Sequence, residues 1–526
     1  VQTGKFLKNA AVLTVTALIL RSIGMFFRIW LSNAVGADGM GLYTLILSVY
    51  MLAATFATSG ICTAVTRLIA EELECGTKRS VNRILRRSIY LTLIIALIST
   101  AAVWLMSDTI AEGWIKDERA ALSLRILSLS LPFMGVSSCI RGYFVACRRV
   151  AVHSSAQIFE QLVRIALTML IIGRFAPYGI GYACAAVLIG DTVAEACSCL
   201  YMYIGYLISK RQITSAKNGR KSPPYSVTGR LISISLPITS GRYLTTALRT
   251  IENLLVPSKL TAHSGSYNHS LSQFGQLKGM ALPVLFFPGS FLSALSTLLV
   301  PEMSGAAATG DRASIRSASR KTICVTSELS MIIAGIFLVF SREVGVAVYG
   351  STEVGLLIRC LAPLVPLMYL ESVTDGILKG LNQQNSLLKY NVVDSVVRIA
   401  LIYTVVPFFG MAGFLTVMVV SNALTATLCI GRLLRTAEIG FDFKAWVARP
   451  ILCTAVAVLA AWVALCGLPN ASAVVRLILG AAASVGAYAV LMYSFGGFAE
   501  FTAVERRAKQ RAKAGIRSAP AQDMTK

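Results

Sequence analysis

Val163-Arg164-Ile165-Ala166-Leu167 recurs unchanged as Val397-Arg398-Ile399-Ala400-Leu401, 234 residues further along the chain. Working outward, the same offset lays Glu160 on Asp394, Arg125 on Arg359, Pro132 on Pro366, Gly142 on Gly376 and Gly179 on Gly413. It also lays Gly76-Thr77-Lys78 on Gly310-Asp311-Arg312. Nearer the start the offset is 228, with Arg21 on Arg249 and Ile23 on Ile251, and the six-residue difference falls in the longer loop around 264–270. One offset held over so many segments marks a duplication.

The surroundings of the repeat are apolar. Of 526 residues 55% are hydrophobic and 14% charged, with a mean hydropathy of +0.68, against roughly 25% charged in a soluble domain. This excludes a string of soluble domains, a disordered chain and a disulfide scaffold. Fourteen stretches are long and apolar enough to span a bilayer: 7–31, 40–70, 83–107, 121–147, 154–174, 179–208, 228–256, 278–302, 316–340, 355–382, 386–407, 412–434, 447–466 and 472–495. The fold class expected is an all-α polytopic membrane protein with 14 transmembrane helices. Two parallel-repeat six-helix lobes, related by an axis along the membrane normal, and two C-terminal helices surround a central cavity. The boundaries are 1–208 for the N-lobe, 209–227 for a basic cytoplasmic linker, 228–436 for the C-lobe, 445–495 for spans 13 and 14, and 496–526 for a basic cytoplasmic tail.

The net charge of +24 would point to nucleic acid in a soluble protein. With both termini placed in the cytoplasm, however, 32 of the 49 Lys and Arg fall in cytoplasmic segments and five in outer ones. That asymmetry orients a multi-pass plasma-membrane protein and gives no role to nucleic acid. The first span is not read as a signal peptide, because Arg21 and Arg28 interrupt it. The twelve cysteines fall in or near spans without a CxxC, so they read as small packing residues rather than metal ligands.

Ionisable residues inside a bilayer are costly and each needs an account. Arg21 and Arg28 on span 1 lie two helical turns apart, on one face, and Arg242 and Arg249 on span 7 repeat that spacing. Facing an inter-lobe cleft, these four arginines form a wall for phosphate or pyrophosphate oxygens, which the guanidinium fork fits. Glu160/Arg164 and Asp394/Arg398 are i,i+4 pairs, whose default reading is mutual neutralisation. Glu252, Asn391 and Asp394 offer the oxygen ligands a hard cation wants, which makes them candidates for a Na⁺ or H⁺ coupling site. Glu371 and Asp375, also i,i+4, are candidates for a proton relay through like-charge proximity. Asp191, Glu195, Glu302 and Glu328 carry no assignment, and Pro283, Pro288 and Gly289 signal a kink in span 8. There is no phosphate-binding loop, nucleotide fold or nucleophile–base pattern. The chain therefore reads as a transporter, not an enzyme, with no cofactor beyond a coupling ion.

Four stretches carry a resemblance. Gly36-Ala37-Asp38-Gly39-Met40-Gly41-Leu42-Tyr43 resembles the loop after span 1 of polysaccharide-lipid flippases. Ala57-Thr58-Ser59-Gly60-Ile61 with Arg67-Leu68-Ile69-Ala70-Glu71, and Gly380-Leu381-Asn382-Gln383-Gln384, are similar to the stage V sporulation protein B group. That group belongs to the multidrug/oligosaccharidyl-lipid/polysaccharide exporter superfamily and is related to MurJ-type lipid II flippases. The resemblance implies flipping of an undecaprenyl-pyrophosphate-linked saccharide, a peptidoglycan precursor, from inner to outer leaflet by alternating access. It implies a functional monomer whose partners are the lipid-linked oligosaccharide and membrane lipids. It also implies cavity arginines at Arg21 and Arg28, and a sodium site in the second lobe at Glu252, Asn391 and Asp394. The alternative is a cation-coupled multidrug exporter of the same fold, which would present acids and aromatics to the cleft.

Overall fold

The computed structural model describes residues 2–58, 60–75, 78–211, 226–467 and 472–495. The expected tail 496–526, and all of the expected linker but its two ends, lie outside these residues. Among the described residues the chain is helical throughout, without strands. The first part comprises α1 (Gln2–Thr58), α2 (Ile61–Cys75), α3 (Lys78–Leu105), the short α4 (Ser107–Thr109), α5 (Ala120–Ser128), α6 (Leu131–Ala146), α7 (Val150–Phe175) and α8 (Ile180–Arg211). It continues as α9 (Val227–Ser264), α10 (Tyr267–Phe274), α11 (Leu282–Ala308), α12 (Arg312–Val339), α13 (Ser341–Tyr349), α14 (Thr352–Leu361) and α15 (Val365–Gly380). The last elements are α16 (Gln384–Ala437), α17 (Arg449–Cys466) and α18 (Ala473–Ser494). A helix is what a membrane demands, because hydrocarbon offers no partner to a bare peptide group.

Eleven helical stretches among the described residues are long and apolar enough to cross a membrane. One runs over 14–73 and covers two of the expected spans. Gly36 breaks it with φ 77°, a left-handed conformation that only glycine takes without strain. Another, α16, covers the expected spans 386–407 and 412–434 and is broken at Gly410, φ 55°. Three expected spans are not continuous helices. The stretch 40–70 ends one helix at Thr58 and starts the next at Ile61, with Gly60 at φ 74°. A Cβ on Gly60 would lie 2.5 Å from the Ser235 carbonyl, so the break also lets α9 approach. The stretches 121–147 and 355–382 are each divided, into α5 and α6 and into α14 and α15. Pro132 and Pro366, which match in the repeat, each stand in the first turn of the second piece. Proline is tolerated there because its missing N–H has no helical acceptor.

The described residues divide into two compact units, one drawn from 1–298 and 384–425, the other from 299–383 and 426–526. The first has its core where Leu68, Ile69, Ile84, Leu85, Tyr143 and Phe144 pack together. Gly142 is needed at this crossing, since a Cβ there would meet the Cys62 carbonyl at 2.8 Å. Small residues hold membrane helices together because lipid is as apolar as leucine, leaving close van der Waals contact as the driving force. Tyr206 stacks edge-on to Tyr143, centroids 5.1 Å apart, and its hydroxyl donates to Asn82 Oδ1 at 3.1 Å. The second unit packs α12, α17 and α18 around Ile332, Phe340, Ala457, Val458 and Tyr488. Its buried Glu328 accepts from Arg449 at 3.1 Å, and the Tyr488 hydroxyl donates to the Glu328 carbonyl at 3.0 Å.

Candidate functional site

The helix that carries the most charge of interest is α9. Ser226 starts it, its hydroxyl accepting from the Gly229 N–H. The half of α1 that follows Gly36 lies along α9. Thr250 Oγ1 donates to the Ser48 carbonyl at 2.9 Å, Asn253 Nδ2 donates to Ser48 Oγ at 2.9 Å, and Phe56 meets Tyr243 edge-on. Polar bonds of this kind fix which faces two helices turn to each other.

On this frame Arg242 and Arg249 are exposed, as is Arg21 on the first half of α1. Arg21 donates to the Ser290 carbonyl at 3.3 Å and to Ser293 Oγ, both on α11. Among the described residues, Arg21, Arg242 and Arg249 have no carboxylate at ion-pair distance. Arg28 is half-buried and lies within electrostatic reach of Tyr43, whose hydroxyl donates to Asp191 at 3.4 Å.

The second-repeat acids sit in a different environment. Arg398 donates to Asp394 at 2.7 Å and to both oxygens of Glu252 at 3.3 and 3.4 Å. Ser421 accepts from Arg398 Nε at 2.7 Å and donates to Asp394. Glu252 also accepts from Lys278 Nζ at 3.0 Å. The structure thus joins Glu252 and Asp394 through Arg398, while half-buried Asn391 makes no hydrogen bond to either. Lys278 escaped the sequence reading, yet a signal existed. Glu252 lies twelve residues before the end of α9, and Lys278 lies eleven after the start of α10. At 1.5 Å per residue those are nearly equal depths, about 18 Å and about 17 Å from the turn.

The first repeat holds a parallel cluster. Arg164 pairs with Glu160 at 2.9 Å and with Asp191, on α8, at 2.8 Å. Asp191 has no partner within its own helix by spacing; the arginine it pairs with sits on α7. The proton-relay candidates Glu371 and Asp375 have a cation beside them: Lys379, one turn on from Asp375, donates to that carboxylate. Glu371 is half-buried.

At the other end of α9 a polar patch ties two segments of the first unit together. The Tyr267 hydroxyl donates to the Ile115 carbonyl at 2.7 Å, and Lys116, at φ 63°, donates to Ser258 at 3.1 Å. Arg119 forks onto buried Asp117 at 2.6 and 2.8 Å, and these hydrogen bonds raise its pKa above the ordinary arginine value.

The polysaccharide biosynthesis protein family matches residues 6–307. Stage V sporulation protein B of Bacillus subtilis (strain 168) is 26% identical over 449 residues, covering 84% of this chain and 85% of that protein. Lipid II flippase MurJ of the same organism is 22% identical over 488 residues, 86% of each. Among solved structures, lipid II flippase MurJ in an inward closed conformation superposes with a TM-score of 0.69 at 12% identity, over 92% of this chain and 98% of that one. The long apolar helices and these likenesses together make this a multi-pass membrane protein of the MurJ fold, and the chain belongs to the polysaccharide biosynthesis protein family.

Proposed function

We propose that this protein carries a pyrophosphate-linked lipid saccharide, a peptidoglycan precursor of the lipid II kind, from the inner to the outer leaflet of the bacterial plasma membrane by alternating access. Both termini face the cytoplasm in this reading, and Arg21, Arg28, Arg242 and Arg249 receive the anionic headgroup. The observation that carries it is a contrast among cations on the long helices. Arg164, Lys278, Arg398 and Arg449 are each paired with a carboxylate. Arg21, Arg242 and Arg249 are exposed and paired with none among the described residues. A guanidinium facing hydrocarbon is costly, so three exposed ones support a polar cleft suited to an anion. The likeness to MurJ supports a lipid-linked cargo. Drug export is less well supported, because the acid that α9 offers beside Arg242 and Arg249, Glu252, is occupied by Lys278 and Arg398.

The test is native mass spectrometry of the purified protein with lipid II, undecaprenyl phosphate and an uncharged lipid. Lipid II should be preferred by about tenfold or more, as two lost charge-assisted bonds imply. Arg21→Ala and Arg249→Ala should each abolish that preference. Equal binding of all three lipids, unchanged in both variants, would remove the assignment.

A further inference from the structure

We infer that the ammonium of Lys278 is a tethered counter-cation for Glu252, standing where a metal coupling ion would otherwise sit, so that the second-repeat acid cluster binds no Na⁺. Glu252, Asn391 and Asp394 are the oxygen ligands that the sequence offers to a hard cation. Their geometry does not fit one. Glu252, with 5% of its side chain exposed, has one oxygen 3.0 Å from Lys278 Nζ and both oxygens within 3.4 Å of Arg398. Asp394 gives one oxygen to Arg398 at 2.7 Å and the other to Ser421. Asn391 contributes nothing to the cluster. The two carboxylates and the two protein cations balance, and a third positive charge would enter against Lys278 and Arg398.

The position of Lys278 is built in. It lies in a π-helical turn, Gly275–Ala281, between α10 and α11. Such a turn adds one residue and re-aims the side chains that follow. Gly275 lets α1 come close to this turn, since a Cβ there would stand 1.9 Å from the Ala37 carbonyl, and Gly279 lies against Met40. The segment is thereby clamped to α1, and the lysine is held level with Glu252 across the α9–α10 hairpin. Its ammonium is also 5.9 Å from the Phe414 ring, on the cation-attracting face. Lys278 is therefore a positioning residue, and its role does not depend on which lipid is carried.

Purified full-length protein is titrated with NaCl against choline chloride at constant ionic strength, reading thermal unfolding. The wild type should show no Na⁺-specific shift. Lys278→Met and Lys278→Gln should acquire one, with the unfolding constant falling about elevenfold when Na⁺ is ten times its Kd. Adding Glu252→Gln to either should erase it. A Na⁺-specific shift in the wild type that Glu252→Gln removes overturns the inference, and so does a flat response in both Lys278 variants. Should either variant be unstable, purification in each salt decides: recovery in NaCl alone supports the inference, and failure in both salts counts against it.

Discussion

The two copies of Val-Arg-Ile-Ala-Leu carry the same i,i+4 ion pair and end up in unlike clusters. In the first, Arg164 serves Glu160 and, from the following sequence neighbour α8, Asp191. In the second, Arg398 serves Asp394 and, from α9, Glu252, while Lys278 joins as a second cation and Ser421 bridges the pair. The repeat explains the difference position by position. Glu252 corresponds to Gly24, which lies close to Gln161 on α7, Asp191 corresponds to Thr425, and Ser421 to Val187. The recurring sequence carries the pair that one helix makes by itself. The partners from other helices differ, and with them the ion pairs: one arginine bound to two acids in the first cluster, two cations bound to two acids in the second.

The strongest test of this contrast is removal of the shared arginine. Arg164→Met strips both Glu160 and Asp191 of their guanidinium and should cost about 3–5 kcal/mol, the range for breaking a buried pair, read as detergent-solubilised unfolding. Arg398→Met should cost about half of that, roughly 2 kcal/mol, because Lys278 remains beside Glu252. The reverse order would break the comparison. A smaller effect sharpens it. Ser421→Val, which gives the second copy the residue of the first, should cost about 1 kcal/mol for the lost hydrogen bonds, whereas Val187→Ser should bring no gain. Comparable in size is Tyr267→Phe, outside both clusters, whose lost bond to Ile115 should lower the unfolding free energy by about 1 kcal/mol. It should also raise labelling of a cysteine introduced at Ser258, across the same contact. The smallest effect belongs to the exposed pairs of Glu438 with Arg312 and Arg316. Glu438→Gln should stay within about 0.5 kcal/mol of wild type, confirming that ion pairs matter here by burial and not by number.

Much of this architecture is legible in one dimension. The apolar stretches, the duplication, the pairs Glu160/Arg164 and Asp394/Arg398, and the spacing of Arg21 with Arg28 and of Arg242 with Arg249 all follow from periodicities of a single helix. The breaks at Gly60, Pro132 and Pro366 were less legible, because hydropathy averages over a short interruption and reads through it. Lys379 as partner of Asp375 was within reach of the same i,i+4 rule that found the others.

The partners across helices required the folded chain. Which acid reaches Arg164 or Arg398 depends on how deep each helix stands and which face it turns, and both are set by where backbones touch. Gly275 against Ala37 and Gly60 against Ser235 are such contacts. A helix repeats its own geometry every 3.6 residues, so its internal pairs are written in spacing alone. Contact between helices hangs on a few missing side chains far apart in the chain, and no spacing rule connects them. Equal distance from the α9–α10 turn puts Lys278 at the depth of Glu252, but only the packed hairpin turns the two faces together and brings them to 3.0 Å.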